Sequence, residues 1–294
     1  MKKTCLLIVF LCTASFSFSQ ITTSTYDFES LALAPINGQD NWEVKSSHSQ
    51  VNNGSICPPV PGTELHPELF NATSSGLYNG SNALQNVNFS SALQHSIVSR
   101  VDDSSWSLPS ISGKEYMILE WDFKGNHWGK GFYLGYDANG DADFSIDCST
   151  FDTNERSIGI STSAGNTRLH DATGAIIATA PRPNEWTKYR VFIDLKANGT
   201  QGSINVCYRE LSHNGNWTSM PGMQNINAGF DTSATNQTNP SNLNGMMYEQ
   251  HAGGTGNLDN IQISTFNRFF DQSNNSVYFP FLHDHCFNIT YPAL

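Results

Sequence analysis

The chain has 294 residues, 14 % of them charged, and a formal charge of −11 that becomes −13 without Lys2 and Lys3. So acidic a chain repels phosphate backbones, which argues against nucleic acid as a partner. Sparse charge with abundant Gly, Asn, Ser and Thr disfavours long helices and predicts short strands joined by polar turns. Met1-Lys2-Lys3 is a basic start, followed by the apolar run CLLIVFLC at residues 5–12. Ser17-Phe18-Ser19 then offers small residues at the −3 and −1 positions of a cleavage site. This is the layout of a secretory signal peptide over residues 1–19, with Gln20 as the new N-terminus. The run is too short to span a bilayer, and no later stretch has the length and apolarity of a membrane helix. Leu11 stands where a lipoprotein signal at Cys12 would need a small residue, so the expected product is secreted and soluble. Four cysteines survive cleavage, Cys57, Cys148, Cys207 and Cys286, and their spacing fits no zinc pattern. An oxidising compartment lets such a set form disulfides, with three possible pairings for two bridges.

Along the mature chain, Tyr26-Asp27-Phe28-Glu29 alternates apolar and polar residues and predicts an opening strand. Residues 51–78, rich in Asn, Pro, Gly and Ser, read as a long loop. Alternation resumes at residues 83–87 (ALQNV). The strongest strand signal is EYMILEWDF at residues 115–123, bounded by Gly113 and Gly125. Residues 130–136 (KGFYLGY) and 143–147 (DFSID) flank an Asn-Gly turn and predict a hairpin. RSIGIS (156–161), WTKYRVFIDL (186–195), GSINVCYR (202–209) and LDNIQIS (258–264) follow as strands, the middle two joined across Asn198-Gly199. Strands at such short intervals predict an all-β, two-sheet antiparallel sandwich whose first and last strands lie close together. Residues 265–294 are aromatic-rich and lack strand rhythm, which marks them as a C-terminal appendage or tail.

Four stretches together resemble a known family. They are YDFESLALAPINGQDNW (26–42), YMILEWDF (116–123), EWTKYRVFIDL with GSINVCY (185–208), and NLDNIQIS (257–264). This pattern resembles the concanavalin A-like, laminin-G-like jelly rolls of secreted bacterial proteins, and the Ser-Phe-Ser-Gln cleavage site is similar to those of Bacteroidetes-type bacteria. The resemblance implies one jelly-roll β-sandwich over residues 20–264. That superfamily holds glycan-binding modules, glycoside hydrolases, polysaccharide lyases and adhesion domains, so the fold does not choose a function.

Three groups of residues carry candidate chemistry. Glu120 and Asp122 are two apart on a strand and share a face, as in jelly-roll glycosidases whose acids alternate along one strand. Lys124 and Gly125 stand where the next acid of that pattern belongs, and the competing reading is a strand with Trp121 and Phe123 in the core and a polar outer face. His127 is a loop histidine that a catalytic reading would recruit as a base. Trp42, Trp106, Trp128 and Trp217 are candidates to stack on sugar rings, Trp128 foremost because it lies in the Gly-rich stretch GNHWGKG. Asp137, Asn139, Asp141 and Asp143 alternate through one turn and resemble the D-x-N-x-D spacing of calcium loops, which converge oxygens on a hard cation. Ala142 replaces the usual Gly and Cys148 the distal Glu, so the competing reading is a solvated hairpin turn. These features make a secreted binding or adhesion module for extracellular or cell-surface glycan the expected function. A glycan-cleaving enzyme using Glu120 and Asp122, or a structural surface protein, is the alternative.

Overall fold

The computed structural model describes residues 21–48, 70–76, 81–86, 94–125, 128–138, 156–163, 166–171, 176–181, 185–211, 215–251, 255–267, 269–271 and 276–278. The strands in chain order are β1 (Thr22–Tyr26), β2 (Glu43–His48), β3 (Phe70–Thr73), β4 (Ala83–Asn86), β5 (Gln94–Val101), β6 (Tyr116–Gly125), β7 (Trp128–Gly135), β8 (Arg156–Ser163) and β9 (Asn166–His170). They continue with β10 (Ile176–Pro181), β11 (Thr187–Asp194), β12 (Ser203–Glu210), β13 (Thr218–Ser219), β14 (Ile226–Asn227), β15 (Gly245–His251), β16 (Gly256–Phe266), β17 (Phe269–Asp271) and β18 (Ser276–Tyr278). Two antiparallel sheets result, a nine-stranded one ordered β13-β12-β11-β6-β16-β4-β3 with β1 on β16 and β14 on β12, and a seven-stranded one ordered β10-β9-β8-β7-β15-β5-β2. A separate two-stranded ribbon pairs β17 with β18.

Period-two patterning builds the sandwich. Met117, Leu119, Trp121 and Phe123 of β6 all point into one core with Tyr189 and Val191 of β11. The facing sheet answers with Phe132 and Tyr248. The Trp121 and Phe132 rings meet at 5.1 Å, and Phe70 meets Tyr248 edge-on at 5.7 Å. The Tyr248 hydroxyl donates to Asn86 Oδ1 at 2.9 Å, so this buried polar group is satisfied across the gap. The sequence expectation of an all-β, two-sheet antiparallel sandwich is met, and β1 pairs with β16 through Tyr26↔Ile261 to bring the two ends together.

Several local expectations change. The opening strand is Thr22–Tyr26 and stops there; Phe28 follows with φ 61°, fully buried in the turn that leaves the sheet. Residues 51–78 contain β3, which pairs with β4. The strand at the chain's end is longer than LDNIQIS, running Gly256–Phe266, with a bulge between Asp259 and Gln262 where Asn260 takes φ 47°. Along Lys130–Gly135 both edges of β7 are occupied, by β8 and β15; the hairpin partner expected for it, residues 143–147, lies outside the described residues. So do the signal segment at residues 1–19 and Cys57, Cys148 and Cys286.

On the outer face of the seven-stranded sheet Tyr133 lies over glycine. A Cβ placed on Gly131 would come within 2.3 Å of the Tyr133 hydroxyl, and one on Gly159 within 2.6 Å of the ring. Glycine at both places lets the ring lie down against Met247 in a small second cluster.

One buried cation ties the loops at the sandwich edge. Arg100 of β5 is wholly buried with its guanidinium over the Tyr26 and Trp106 rings, at 5.4 and 5.5 Å from their centres. It donates to Asp103 Oδ2 at 3.0 Å, to Ser105 Oγ at 2.8 Å and to the Asp40 carbonyl. Tyr26 Oη donates to Asp40 Oδ2 at 2.7 Å. Partial burial pushes the Asp103 carboxyl up, but hydrogen bonds from Asn41, Ser105 and the Trp106 N–H outweigh it and hold the group well below the usual range.

Asp102, next to it, goes the other way. Burial first, then the negative charge of Asp103, outweigh the Leu108 N–H bond and raise its carboxyl to about 6. A raised carboxyl favours the folded state while protonated, so its contribution is complete below about pH 4 and is lost as pH rises through about 6. Asp102→Asn keeps the acceptor for Leu108 and removes the charge. It is expected to melt higher than wild type at pH 7.5, by on the order of 1–2 kcal/mol after solvent screening, and level with it at pH 4. Melting curves at the two pH values check this; a difference that does not change with pH would refute it.

Candidate functional site

The pair Glu120 and Asp122 sits on the outer face of the nine-stranded sheet, opposite the core-facing Trp121 and Phe123. Sheet register decides what they meet. In the β6–β11 ladder Asp122 lies across from Lys188 and Glu120 across from Arg190. The Lys188 ammonium reaches Asp122 Oδ1 at 2.8 Å, and Arg190 Nε donates to Glu120 Oε1 at 2.8 Å. Asn260 Nδ2, swung outward by the bulge in β16, donates to Asp122 Oδ2 at 2.8 Å. Burial pushes the Asp122 carboxyl up, and the Lys188 charge and the hydrogen bonds from Lys188 and Asn260 only partly offset it.

The two acids are therefore rungs of a cross-strand charge ladder. Asp122 is 1 % exposed, so the polar outer face anticipated from sequence is not a solvated one. Away from the ladder the same face turns apolar. Ile118, Phe192, Tyr116 and Phe266 are buried there, and Tyr116 stacks at 5.5 Å on both Phe192 and Phe266. His127, the loop base of a catalytic reading, lies outside the described residues.

At the β12 edge of the ladder stands Trp217. The Arg190 guanidinium carbon lies 4.0 Å from its ring centre, and that of Arg209 lies 5.4 Å away. Guanidinium groups stack on indole faces because the ring quadrupole attracts the cation. Arg190 thereby links Glu120 to Trp217 and fixes the indole's orientation. Trp217 is partly exposed, whereas Trp42, Trp106, Trp121 and Trp186 are buried. Trp42 and Trp106, candidates for sugar stacking from sequence, are thus core residues. Trp128 opens β7, and its side chain lies outside the described residues.

Of the four residues with calcium-loop spacing, Asp137 is described, and Asn139, Asp141 and Asp143 lie outside the described residues. Asp137 is buried just past β7. Its N–H donates to Asn244 Oδ1 at 2.8 Å, and Asn244 Nδ2 donates back to its carbonyl at 3.4 Å. Among the described residues no cluster of three or more His, Cys, Asp or Glu side chains could hold a metal ion. No helix among them is long and apolar enough to cross a membrane.

Sequence reasoning found the acids and the tryptophan but missed Lys188, Arg190 and Asn260. Lys188 and Arg190 carry a legible signal, two bases with the same i, i+2 spacing as the acids. Asn260 carries none, because a bulge aims it.

No known family model matches the chain, and no curated protein matches it. Solved structures do resemble it. A lectin from Bauhinia forficata in complex with GalNAc is 6 % identical, with 83 % of this chain and 98 % of that one covered and a TM-score of 0.43. A carbohydrate esterase from the Shiga toxin-encoding bacteriophage phi24B is 11 % identical over 84 % and 99 %, with a TM-score of 0.42. A Bacillus subtilis protein of unknown function with a galectin-like fold is 12 % identical over 85 % and 100 %, with a TM-score of 0.41. These are distant likenesses, and no role is carried over from them.

Proposed function

We propose that the mature chain is a secreted β-sandwich module that binds extracellular or cell-surface glycan, with Trp217 as a stacking platform. The observation that carries this reading is a partly exposed tryptophan held by Arg190 beside two acids already engaged by cations. Sugar rings present flat C–H faces that pack on aromatic rings. A ring already fixed in orientation loses little side-chain entropy on binding. Bond cleavage by carboxylates needs an acid and a base or nucleophile placed across the glycosidic bond. Glu120 and Asp122 instead face Arg190 and Lys188, which favours recognition over hydrolysis. The signal-peptide reading of residues 1–19 puts the module outside the cell.

A glycan array with the mature protein tests this, followed by titration of each hit and assays for reducing ends and unsaturated products. Trp217→Ala is expected to weaken binding about thirtyfold, the loss of about 2 kcal/mol typical of an anchoring tryptophan. Trp128→Ala, in the same titration, reports whether the Gly-rich stretch adds a second platform. Binding unchanged in Trp217→Ala would overturn the assignment. Turnover that vanishes in Glu120→Gln would replace it with the enzymatic reading.

The reading includes a calcium ion on the turn from Asp137 to Asp143, with oxygens from Asp137, Asn139, Asp141 and Asp143. Its support is the oxygen spacing, together with an Asp137 anchored at both backbone groups by Asn244. Calcium at a hundredfold excess over Kd is expected to stabilise the wild type by about 2.7 kcal/mol relative to EDTA. Magnesium should do much less, because it demands a tighter octahedron. Melting curves of wild type and Asp141→Ala decide: an equal calcium response in both returns the loop to an ordinary turn.

A further inference from the structure

The apolar half of the nine-stranded sheet's outer face is buried, although the core lies on the other side of that sheet. Phe192, Tyr116 and Phe266 form a continuous stack across β11, β6 and β16, each at most 5 % exposed, and Ile118 beside them is 3 % exposed. Cys207 of β12 belongs to this face. It lies across from Arg190 in the ladder, is wholly buried and is disulfide-bonded. Apolar side chains this dry on the outer side of a sheet imply cover, and the disulfide implies a second cysteine brought to this face.

We propose that this cover is the protein's own C-terminus, residues 268–294, docked across the outer face and fastened by a disulfide between Cys207 and Cys286. Three observations select it over other occupants. The chain leaves β16 at Phe266, which is itself a member of the aromatic stack, so the next residues start on the surface they would cover. Their composition fits that surface, with Phe269, Phe270, Tyr278, Phe279, Phe281, Phe287 and Tyr291 in a stretch of little charge. The span is also short. Phe266, Tyr116, Asp194 and Ser203 lie in one row, so Cys207 stands three strand spacings across, about 14 Å, and four residues along, about 13 Å. The chain from Phe266 to Cys286 reaches about 65 Å when extended, ample even with the β17–β18 ribbon folded within it.

Closing the bridge joins the two sulfurs and removes two protons and two electrons from the thiols. The acceptor is an exchanging disulfide of the oxidising compartment, which leaves as a dithiol. The inference does not depend on the glycan reading, since neither Trp217 nor a ligand enters it.

A non-reducing protease digest of the full mature chain, read by mass spectrometry, tests the bridge. A cross-linked peptide holding Cys207 and Cys286, separated by reductant, is expected. Cys207 joined to Cys57 or Cys148, or recovered as a free thiol, would overturn the proposal. Melting curves give a second reading. Cys207→Ala and Cys286→Ala should lower Tm by the same several degrees, and the double variant by no more than either; additive losses would show that the two do not share a bridge. Limited chymotrypsin treatment of the oxidised wild type tests the docking itself. Residues 268–294 should resist cleavage despite their aromatic content, and rapid cutting there would refute the contact.

Discussion

Arg100→Met is expected to lower the unfolding free energy by about 3 kcal/mol, the lower end of the range for breaking a buried ion pair. The guanidinium is 0 % exposed, whereas its partners Asp40 and Asp103 remain 30 % and 21 % exposed and can recover some hydration. What cannot be recovered is the junction. Arg100 is stacked on Tyr26 and Trp106 while bonding the Asp40 carbonyl, Asp103 and Ser105, so one side chain joins β1, the 27–42 loop and the 102–108 loop to β5. Arg100→Lys keeps the charge but supplies a compact ammonium in place of a planar fork, and should recover only part of the loss. Urea denaturation followed by tryptophan fluorescence measures both variants. A loss below about 0.5 kcal/mol for the methionine variant, within the range of an ordinary surface substitution, would show that the cluster is not structural.

Lys188→Met is expected to cost about 3 kcal/mol at pH 7, because it strands a carboxylate that is 1 % exposed. The reverse deletion should be milder. Asp122→Asn leaves Lys188, 21 % exposed, able to turn toward water, and Asn still accepts from Asn260. The pH dependence separates this mechanism from simple misfit. The Asp122 carboxyl is already raised by burial, with Lys188 pulling it down, so removing Lys188 raises it further. A raised carboxyl stabilises the fold when protonated and loses that contribution as pH rises through its folded value. The Lys188→Met deficit should therefore shrink as pH falls into the acid range, and the Lys188→Met/Asp122→Asn double variant should recover most of it at pH 7. Stability curves from pH 4 to 8 check this. A pH-independent deficit that the second substitution does not repair would place the damage in packing.

The two ladder rungs show how far strand-level reading reaches. E-x-D on one strand and K-x-R on another are each visible as alternation, and alternation assigns each pair to a face. That the strands are neighbours is not visible. Arg190 and Glu120 are 70 residues apart, and nothing local in either strand names the other. Without the neighbour, two carboxylates on one face look like catalytic acids; with it, they are halves of ion pairs. Asn260 is a harder case, because its direction comes from one extra residue in β16 that moves it off the alternation.

The abundant Asn and Gln behave similarly. Composition alone marks turns and exposed polar surface. In the folded chain Asn239 and Asn242 spend their amides on the carbonyls of Thr232, Ala234 and Asn236, and Gln39 does the same for Ala32 and Pro35. Much of the polar composition thus satisfies loop backbone, which a count of residue types cannot reveal.

What the sequence by itself determined is whatever depends on near neighbours along the chain. The strand cores of β6, β11, β12 and β16, their inward faces and the absence of long helices among the described residues follow from period-two patterning and turn residues, and from these the two-layer class follows. Tertiary structure alone decided that β6 lies between β11 and β16, that Arg100 is buried among rings and acids, that Trp42 and Trp106 are core while Trp217 is held at the surface, and that Glu120 and Asp122 are engaged. These outcomes depend on register and on contacts between distant segments. Their energies come from burial and charge pairing that exist only once the sheets have closed, so no local pattern in the chain could carry them.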